Sequence, residues 1–388
     1  MDLICEKSKC YGCGLCVNLC PCNAVKMEEM PIKGHFIPVI DAKICIDCGI
    51  CKRNCPVNSE QVFNEPLSVY AGWRTNEKKQ IGSSSGGAAA ALYETALKKE
   101  YLIAGTVLDD EFHVKMCLTD QEEMIESFKG SKYVQADTGD IFKKIYNSAK
   151  AGKRILFIGT PCQCAAARNT LQKWPDMLIT VDFVCHGVPS QKVLRDYLEW
   201  IEERCGRCIT AISFRSDWGV EFTAYSKEKC VWKRKMYWDY YLSAFNSGIL
   251  HNERCYSCPY AQSKRASDLT IGDFWGIGTE KHFDSPNRKV SIIAVNTEKG
   301  RAFLQKCTEL TLVERKWEEA VKGNTQLRYS SKRSEKYVAF WDAYQEQGLD
   351  FALRRTIYRT ITHRFWREYT IECIKKTVKQ ILFKNKTS

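Results

Sequence analysis

Several features that mark other classes of protein are absent from the 388-residue sequence. No apolar run approaches the roughly 18 residues that a membrane-spanning helix needs. The first residues lack a basic start followed by a long apolar stretch, so we expect no secretory signal and a cytoplasmic location. No finger or other nucleic-acid-binding module is visible, and we therefore predict no nucleic-acid partner.

The common nucleotide-binding motifs are missing as well. The chain has neither the G-x-G-x-x-G of dinucleotide-binding domains nor a Walker loop. A nicotinamide-binding Rossmann domain is therefore disfavoured. The composition, 44% hydrophobic and 27% charged, is ordinary for a globular protein, and the length predicts two or three domains.

Cysteine, by contrast, is abundant and unevenly distributed. The chain contains 21 cysteines, and ten of them fall within the first 55 residues. Thiols in the expected cytoplasmic location stay reduced, so a disulfide scaffold is disfavoured. Ligation of a metal or an iron–sulfur cluster is the leading explanation for the first ten.

Eight of these ten cysteines form an internal repeat. The pattern C-x2-C-x2-C-x3-C-P occurs at residues 10–21 and again, offset by 35 residues, at residues 45–56. Three thiolates at this spacing can surround one corner of an iron–sulfur cube, while the fourth cysteine ligates the other cluster. Two 4Fe-4S clusters are predicted, one held by Cys10, Cys13, Cys16 and Cys55, the other by Cys45, Cys48, Cys51 and Cys20. Zinc, which prefers four ligands in two pairs, is the weaker alternative.

Residues 1–60 thus resemble a bacterial two-cluster ferredoxin. Cys5 and Cys22 lie outside the repeat, and we expect them to be ordinary buried or exposed thiols. A linker at residues 60–67 follows, and beyond it short apolar strands alternate with helical stretches, which predicts an α/β body with a mixed sheet. The expected organisation is a ferredoxin-like module (1–60), a mixed-sheet α/β body (61–330) and a helical, basic region (331–388), an α+β or α/β fold overall.

The predicted secondary structure of the body is specific enough to test. Predicted strands are Val69–Trp73, Leu102–Leu108, Ile155–Ile158, Ile179–Val184, Ile209–Phe214, Leu269–Ile271 and Ile292–Val295. Predicted helices are Ala88–Lys99, Ile141–Ala149, Gln191–Glu203, Glu298–Cys307 and Ser331–Asp350.

Two motifs of the body suggest binding chemistry. Residues 82–87, Gly-Ser-Ser-Ser-Gly-Gly, run directly into a predicted helix, and free N–H groups at such a start bind phosphate. A flexible loop with serine capping is an equal alternative. Cys162 and Cys185 each follow a predicted strand, and with the later pair Cys255 and Cys258 they could hold a third cube. Two buried cysteines plus a zinc knuckle that uses Cys205 and Cys208 fit the spacing equally well.

Together these motifs resemble those of the coenzyme F420 hydrogenase/dehydrogenase beta-subunit family over roughly residues 1–310. The resemblance rests on the Ser-Gly-Gly loop, Gly130-Ser-Lys-Tyr133, Thr160-Pro-Cys-Gln163, Cys185-His-Gly187, Cys255-x2-Cys258 and Ile271-Gly-Asp-Phe-Trp275. It implies an FAD site, a third 4Fe-4S cluster on Cys162, Cys185, Cys255 and Cys258, and hydride exchange with the deazaflavin coenzyme F420 or another organic substrate. The flavin-site residues that it suggests are Ser84, Ser85, Gly86, Gly87, Ser131, Lys132, Thr160 and Asp273.

The same resemblance limits the expected activity. Hydrogen cleavage in the family requires a separate nickel–iron partner protein, so we expect none from this chain alone. His186 beside Cys185 is a candidate general acid, with a hydrogen-bonded structural histidine as the alternative. The predicted function is an oxidoreductase in which clusters and flavin exchange electrons. The alternative is a non-catalytic electron-transfer subunit that docks on a separate enzyme. In both cases we expect a protein electron donor or acceptor as partner; the oligomeric state is left open.

The carboxyl-terminal segment is strongly basic. Residues 350–388 contain ten Lys or Arg against three Asp or Glu. Apolar residues recur at helical spacing from Ile357 through Ile361 to Ile381, with basic residues between them. Three roles fit this pattern: a helix packed on the body, peripheral contact with an anionic membrane, or docking of an acidic partner.

Overall fold

A computed structural model of the chain describes residues 3–216, 219–284, 288–364 and 367. Its amino-terminal part contains helices α1 (Leu15–Leu19) and α2 (Ile50–Arg53) and the antiparallel strands β1 (Val25–Glu29) and β2 (Phe36–Ile40). Each helix begins after a glycine in the left-handed conformation, Gly14 at φ 71° and Gly49 at φ 70°. The two halves of the cysteine repeat therefore share one local structure, in which a ligand loop turns at glycine into a short helix.

The remaining strands form two sheets. They are β3 (Ser68–Arg74), β4 (Leu102–Leu108), β5 (Val114–Thr119), β6 (Ile155–Gly159), β7 (Leu178–Phe183), β8 (Ala211–Ser216), β9 (Gly219–Ser226), β10 (Lys229–Lys235), β11 (Leu269–Asp273), β12 (Ser291–Val295) and β13 (Leu310–Arg315). Eight of them make one sheet in the order β13-β3-β12-β11-β7-β6-β4-β5. Its four central strands, β11, β7, β6 and β4, are parallel, and the flanking pairings are antiparallel. The predicted mixed sheet is confirmed.

Helices cover both faces of this sheet. They are α3 (Glu77–Gln80), α4 (Ala88–Lys98), α5 (Met124–Phe128), α6 (Ile141–Lys150), α7 (Pro161–Thr170), α8 (Gln191–Cys205), α9 (Tyr240–Asn246), α10 (Glu298–Leu304) and α11 (Trp317–Gly323). Strand β6 is buried throughout and alternates between the layers. Ile155 and Phe157 join one apolar core, whereas Leu156 and Ile158 join the other. This two-sided burial explains its uninterrupted apolar sequence.

The strands β10, β9 and β8 form a separate antiparallel sheet. Its inner face packs on an aromatic core in which Tyr197 of α8 stacks on Trp200 and meets Phe222 of β9 edge-on. The end of β8 carries Arg215 toward the large sheet, where it reaches Asp273 of β11. The small sheet therefore contributes one wall of the site described below.

A long helix, α12 (Tyr337–Thr356), begins six residues later than predicted and is interrupted at Gln347 and Gly348. It packs against α8, where the indole N–H of Trp200 donates to Asp350 at 2.7 Å. Beyond the helix, Ile357 and Ile361 are buried in the main core. The first part of the predicted apolar stripe is thus packed on the body, while most of the later part, including Ile381, lies outside the described residues. In the described ranges no helix is long and apolar enough to cross a membrane.

Candidate functional site

The structure brings the cysteines of the ferredoxin-like module together in two groups. One small cavity is lined by Cys10, Cys13, Cys16 and Cys55, and a second is lined by Cys20, Cys45, Cys48 and Cys51. In each group the fourth cysteine of one repeat joins the first three of the other. The groups are therefore the two ligand sets that the spacing predicts. Each cavity also contains one further cysteine, Cys5 in the first and Cys22 in the second.

The chemistry of these thiols fits a cationic centre. Burial raises the pKa of the Cys13 thiol well above its usual range and raises that of Cys16 in the same direction, and neighbouring cysteines add to both shifts. Several thiolates cannot form side by side in such a place unless positive charge compensates them, which iron provides. Among the described residues, no three His, Cys, Asp or Glu side chains converge on a point suited to a single metal ion. A four-iron cube, by contrast, needs thiols around a common space.

The four cysteines singled out in the body also meet. Cys162 lies in the first turn of α7, and Cys185 follows β7. Cys255 lies in a short 3-10 helix after α9 (Glu253–Ser257), and Cys258 directly follows that helix. All four line one cavity of about 320 Å³. Burial raises the pKa of both Cys162 and Cys185 to about 12, and the thiol of Cys258 adds to each shift. The donor set therefore fits an iron–sulfur cluster in the same way as the two ferredoxin-like groups.

The cysteines of the alternative zinc knuckle are placed elsewhere. Cys205 ends α8, and Cys208 follows it as an exposed residue. Neither of them lines the cavity that contains Cys255 and Cys258. The structure thus groups the late cysteine pair with Cys162 and not with the pair at the end of α8.

Local structure fixes the ligand loops. Thr160 caps α7 through its hydroxyl group, and the side chain of Gln163 bonds back to the Thr160 N–H in a capping box. The Thr160 hydroxyl also lies 3.1 Å from the Cys162 sulfur. After Cys185 the chain turns at Gly187, which has φ 113° and whose Cβ position would lie 2.7 Å from a buried histidine ring. No larger residue fits that turn without displacing its neighbours.

The Ser-Gly-Gly loop lines the same cavity. Ser84, Ser85 and Gly87 line it, and the Ser131 hydroxyl donates to the Ser84 hydroxyl at 2.8 Å. Gly86 behaves differently: its N–H donates to Ser291 and its carbonyl accepts from a strand N–H. A Cβ there would lie 2.2 Å from the backbone of β3. Gly86 therefore lets the loop dock on the sheet, and its N–H is already engaged.

Lys132 also lines the cavity. Its ammonium group donates to the carbonyls of Ser127, at 2.7 Å, and Lys129, at 2.9 Å, at the end of α5. Burial lowers the pKa of Lys132 to about 7. The side chain can therefore gain or lose a proton near neutral pH.

His186, Asp273 and Arg215 meet in the cavity. The Arg215 guanidinium donates to Asp273 at 2.6 Å and to the carbonyl of Ser84 at 2.9 Å. Burial lowers the pKa of His186, the Asp273 carboxylate opposes that shift, and Arg215 reinforces it. The sequence prediction included His186 and Asp273 but missed Arg215. Its only local signal is its position directly after the predicted strand Ile209–Phe214.

The ferredoxin-like module docks next to this cavity. Tyr11 lines the cavity and its ring lies 5.7 Å from that of Tyr260. Both belong to an apolar cluster against which Cys13, Cys162 and Cys258 pack. Side chains of the body hold the module in place, because Gln135 donates to the Tyr11 carbonyl and Thr138 to the Cys13 carbonyl. The first ferredoxin-like thiol group therefore adjoins the thiols of the body.

Comparison with known proteins finds two matching segments. Residues 152–319 match the family model for the C terminus of the coenzyme F420 hydrogenase/dehydrogenase beta subunit. That segment is similar to this family. Residues 9–59 match the model described as 4Fe-4S dicluster domain. The resemblance predicted from the sequence is confirmed, and in this one chain the ferredoxin-type domain precedes the segment that matches the beta subunit.

Comparisons with curated proteins and with solved structures give less information about the chain. No curated protein matches the chain. Among solved structures, a chain from a xenon-derivatised F420-reducing NiFe hydrogenase complex of Methanosarcina barkeri is 16% identical, with a TM-score of 0.46. The match covers 68% of this chain and 91% of that one.

Proposed function

We propose that the protein is an iron–sulfur flavoprotein oxidoreductase. In this proposal, electrons pass between ferredoxin-type 4Fe-4S clusters and FAD, which exchanges a hydride with coenzyme F420 or another organic substrate. One observation carries the proposal: a single cavity is lined by the Ser-Gly-Gly loop, by the four body cysteines and by Tyr11 and Cys13 of the ferredoxin-like module. The residues that this proposal assigns to the clusters and to the flavin thus line one cavity.

The thiol groups are arranged in sequence across the molecule. Cys51 of the second ferredoxin-like group is near enough to Cys16 of the first to raise the pKa of its thiol. The first group then adjoins Cys162 and Cys258 through the tyrosine pair. Clusters held on these ligands would connect the outer end of the module with the cavity. The thiols of the chain thus define a path for single electrons.

The Ser-Gly-Gly loop and its neighbours are the residues that we assign to the flavin. Bound FAD would supply the conversion between single electrons and a two-electron hydride. The hydroxyl groups of Ser84 and Ser131 and the start of α4 face the cavity, where N–H groups at a helix start favour phosphate. Arg215 steadies the loop through its bond to Ser84. The chain thus binds and orients the cofactor from this side.

Proton transfer at the site falls to two residues. Because burial lowers the pKa of His186, its imidazole is largely neutral at neutral pH and is suited to accept a proton. Lys132, with a pKa of about 7, is partly protonated there and can donate one. Both line the cavity. We therefore assign the candidate acid role to Lys132 and a base role to His186.

The non-catalytic relay is the second candidate, and one surface is suited to the partner that it needs. Ile44 and Ile46 flank Cys45 of the second thiol group and are exposed, Ile46 by 65%. Exposed apolar residues next to a redox centre are suited to docking a protein partner. An oxidoreductase with its own substrate also needs such a partner, so this surface supports partner binding in both models. The cavity that the Ser-Gly-Gly loop and the body cysteines line favours the catalytic oxidoreductase over the relay.

Anaerobic purification followed by analysis of iron, sulfide and flavin tests the proposal. We expect about twelve iron atoms per chain for three cubes, together with bound FAD. Cys258→Ala should lose about a third of the iron, whereas the matched control Cys208→Ala, which changes an exposed cysteine outside the cavity, should lose none. Reduced ferredoxin should then support reduction of F420.

Two results would decide against it. Full iron content in folded Cys258→Ala would eliminate the third cluster. A protein loaded with clusters that binds no flavin, reduces no organic acceptor and still passes electrons to a protein acceptor would establish the relay.

A further inference from the structure

Each thiol group of the ferredoxin-like module contains five cysteines, although one cube needs four. Cys5 lines the first cavity with the predicted ligands, and Cys22 lines the second. Neither has a role in the cysteine repeat, because both lie outside it. Their positions next to the ligands indicate a specific role.

Cys5 lies beside two predicted ligands at once. Its thiol lines the first cavity together with those of Cys10 and Cys55, which come from opposite halves of the repeat, and it is near enough to interact with both. The preceding residue is fixed, because Asn58 donates to the Ile4 carbonyl at 2.8 Å and Ile4 is buried beside Cys16 and Cys55. Cys5 is therefore held at the cavity by the fold around it.

Cys22 occupies a comparable place in the second group. Its sulfur lies 3.7 Å from that of Cys20, and it lines the second cavity together with Ile46. Ile46 directly follows the predicted ligand Cys45. The fifth thiol again contacts a predicted ligand, here the one that crosses over from the other repeat.

We propose that Cys5 and Cys22 are reserve ligands of the two clusters, an inference that rests on the proposed 4Fe-4S centres. In the exchange, the bond from iron to the Cys10 or Cys55 sulfur breaks and a bond from iron to the Cys5 sulfur forms. The Cys5 proton moves to the departing sulfur, and no electron is transferred. Cys22 does the same for Cys20. Four-thiolate coordination survives the loss of one ligand.

Iron and sulfide analysis of the full chain, with the electron paramagnetic resonance of the reduced clusters, tests this inference. Cys10→Ala should keep all its iron, because Cys5 takes over the vacant position. Cys5→Ala should also keep it, whereas the double variant Cys5→Ala/Cys10→Ala should lose about four iron atoms. Cys16→Ala is the matched control and should lose its cluster, since the Cys5 thiol interacts with Cys10 and Cys55 instead.

The second site repeats the design with Cys20→Ala, the double variant Cys20→Ala/Cys22→Ala and the control Cys51→Ala. If Cys10→Ala fails to fold, Cys55→Ala replaces it, because Cys5 contacts both residues. Loss of one iron or of four in both Cys10→Ala and Cys55→Ala, equal to the loss in Cys16→Ala, overturns the inference for Cys5. A wild-type protein with less than about eight iron atoms contradicts the proposed clusters themselves, which separates the two failures.

Discussion

Substitution of Arg215 tests whether the Ser-Gly-Gly loop helps to bind the proposed flavin. Its guanidinium joins the carbonyl of Ser84 in the Ser-Gly-Gly loop to the carboxylate of Asp273 at the end of β11. Arg215→Met keeps much of the apolar stem but removes both bonds. We expect the variant to bind FAD more weakly, because the loop loses the donor that fixes its backbone.

The size of the effect follows from the type of bond. A hydrogen bond to a charged group contributes about 1.5–3 kcal/mol, and 1.4 kcal/mol corresponds to a factor of ten in a dissociation constant. FAD affinity should therefore fall by roughly 10- to 150-fold. Stability should fall as well. Breaking a buried ion pair costs about 3–5 kcal/mol, and we expect the lower end because the Asp273 side chain remains 25% exposed while that of Arg215 is 7% exposed.

Titration of flavin-depleted protein with FAD, followed by flavin fluorescence, measures the affinity, and thermal denaturation measures the stability. The control is Arg315→Met. Arg315 pairs with Glu319 at 2.7 Å, both are almost fully buried, and neither lines the cavity. This variant should lower the melting temperature but leave the FAD dissociation constant unchanged. If Arg215→Met binds FAD within about threefold of the wild type while remaining folded, the loop is not held in the way we describe.

Three further outcomes follow from the structure. Gly187→Ala should lose the third cluster, which would be measured as about four iron atoms fewer per chain. The control Gly206→Ala should keep it, because Gly206 also has a positive φ but has open space around its Cβ position. Equal iron content in the two variants would contradict the reasoning. Ile361→Ala should lower the free energy of unfolding by about 2–5 kcal/mol, as measured by chemical denaturation. Tyr358→Ala, which changes an exposed residue nearby, should lower it much less. Similar losses in the two variants would mean that the segment is not packed on the body. Because burial lowers the pKa of Lys132 to about 7 from an ordinary value near 10.4, the unfolded chain binds more protons between these values, and this residue makes stability rise with pH across that window. Lys132→Met should flatten the rise in melting temperature between about pH 7 and about pH 9.5, and an unchanged slope would show that Lys132 titrates normally.

The parts that could be predicted from the sequence have local causes. The cysteine repeat is specific because ligand spacing is set by the geometry of the cluster and not by the surrounding fold. Strand β4 occupies the predicted residues, Leu102–Leu108, because a short apolar run buried in a sheet is distinctive. The central strands follow the same rule, and the mixed sheet was therefore predictable.

Helix α7 was missed for a physical reason. Its capping signal is present, with Thr160 before Pro161 and Gln163. The helix nevertheless lacks a polar face, because eight of its ten residues are buried, and without that contrast no helical period shows. Cys162 does follow the predicted strand, but it lies in the first turn of this helix.

Features that depend on distant partners were beyond the sequence. Arg215 bonds to a residue 131 positions earlier in the chain, and no local pattern marks such a contact. The hairpin of β9 and β10 was also missed, since its outer strand is largely exposed, irregular in register and rich in lysine and arginine. The contact of Arg215 and the formation of the hairpin both depend on long-range packing, whereas a local sequence pattern indicates only secondary-structure propensity.

The order of strands in the large sheet limits where the chain can be cut or fused without breaking the fold. The segment that matches the beta-subunit family starts at residue 152, yet β3, β4 and β5 precede it, and β3 lies between β13 and β12. Cut at that boundary, the sheet would lose an interior strand and one edge. The same cut would remove the serine loop, Lys132 and Tyr11 from the cavity wall. The segment that matches the family model is therefore shorter than the segment that must fold as one unit. A gene fusion or truncation made at the boundary of the match should yield an insoluble fragment.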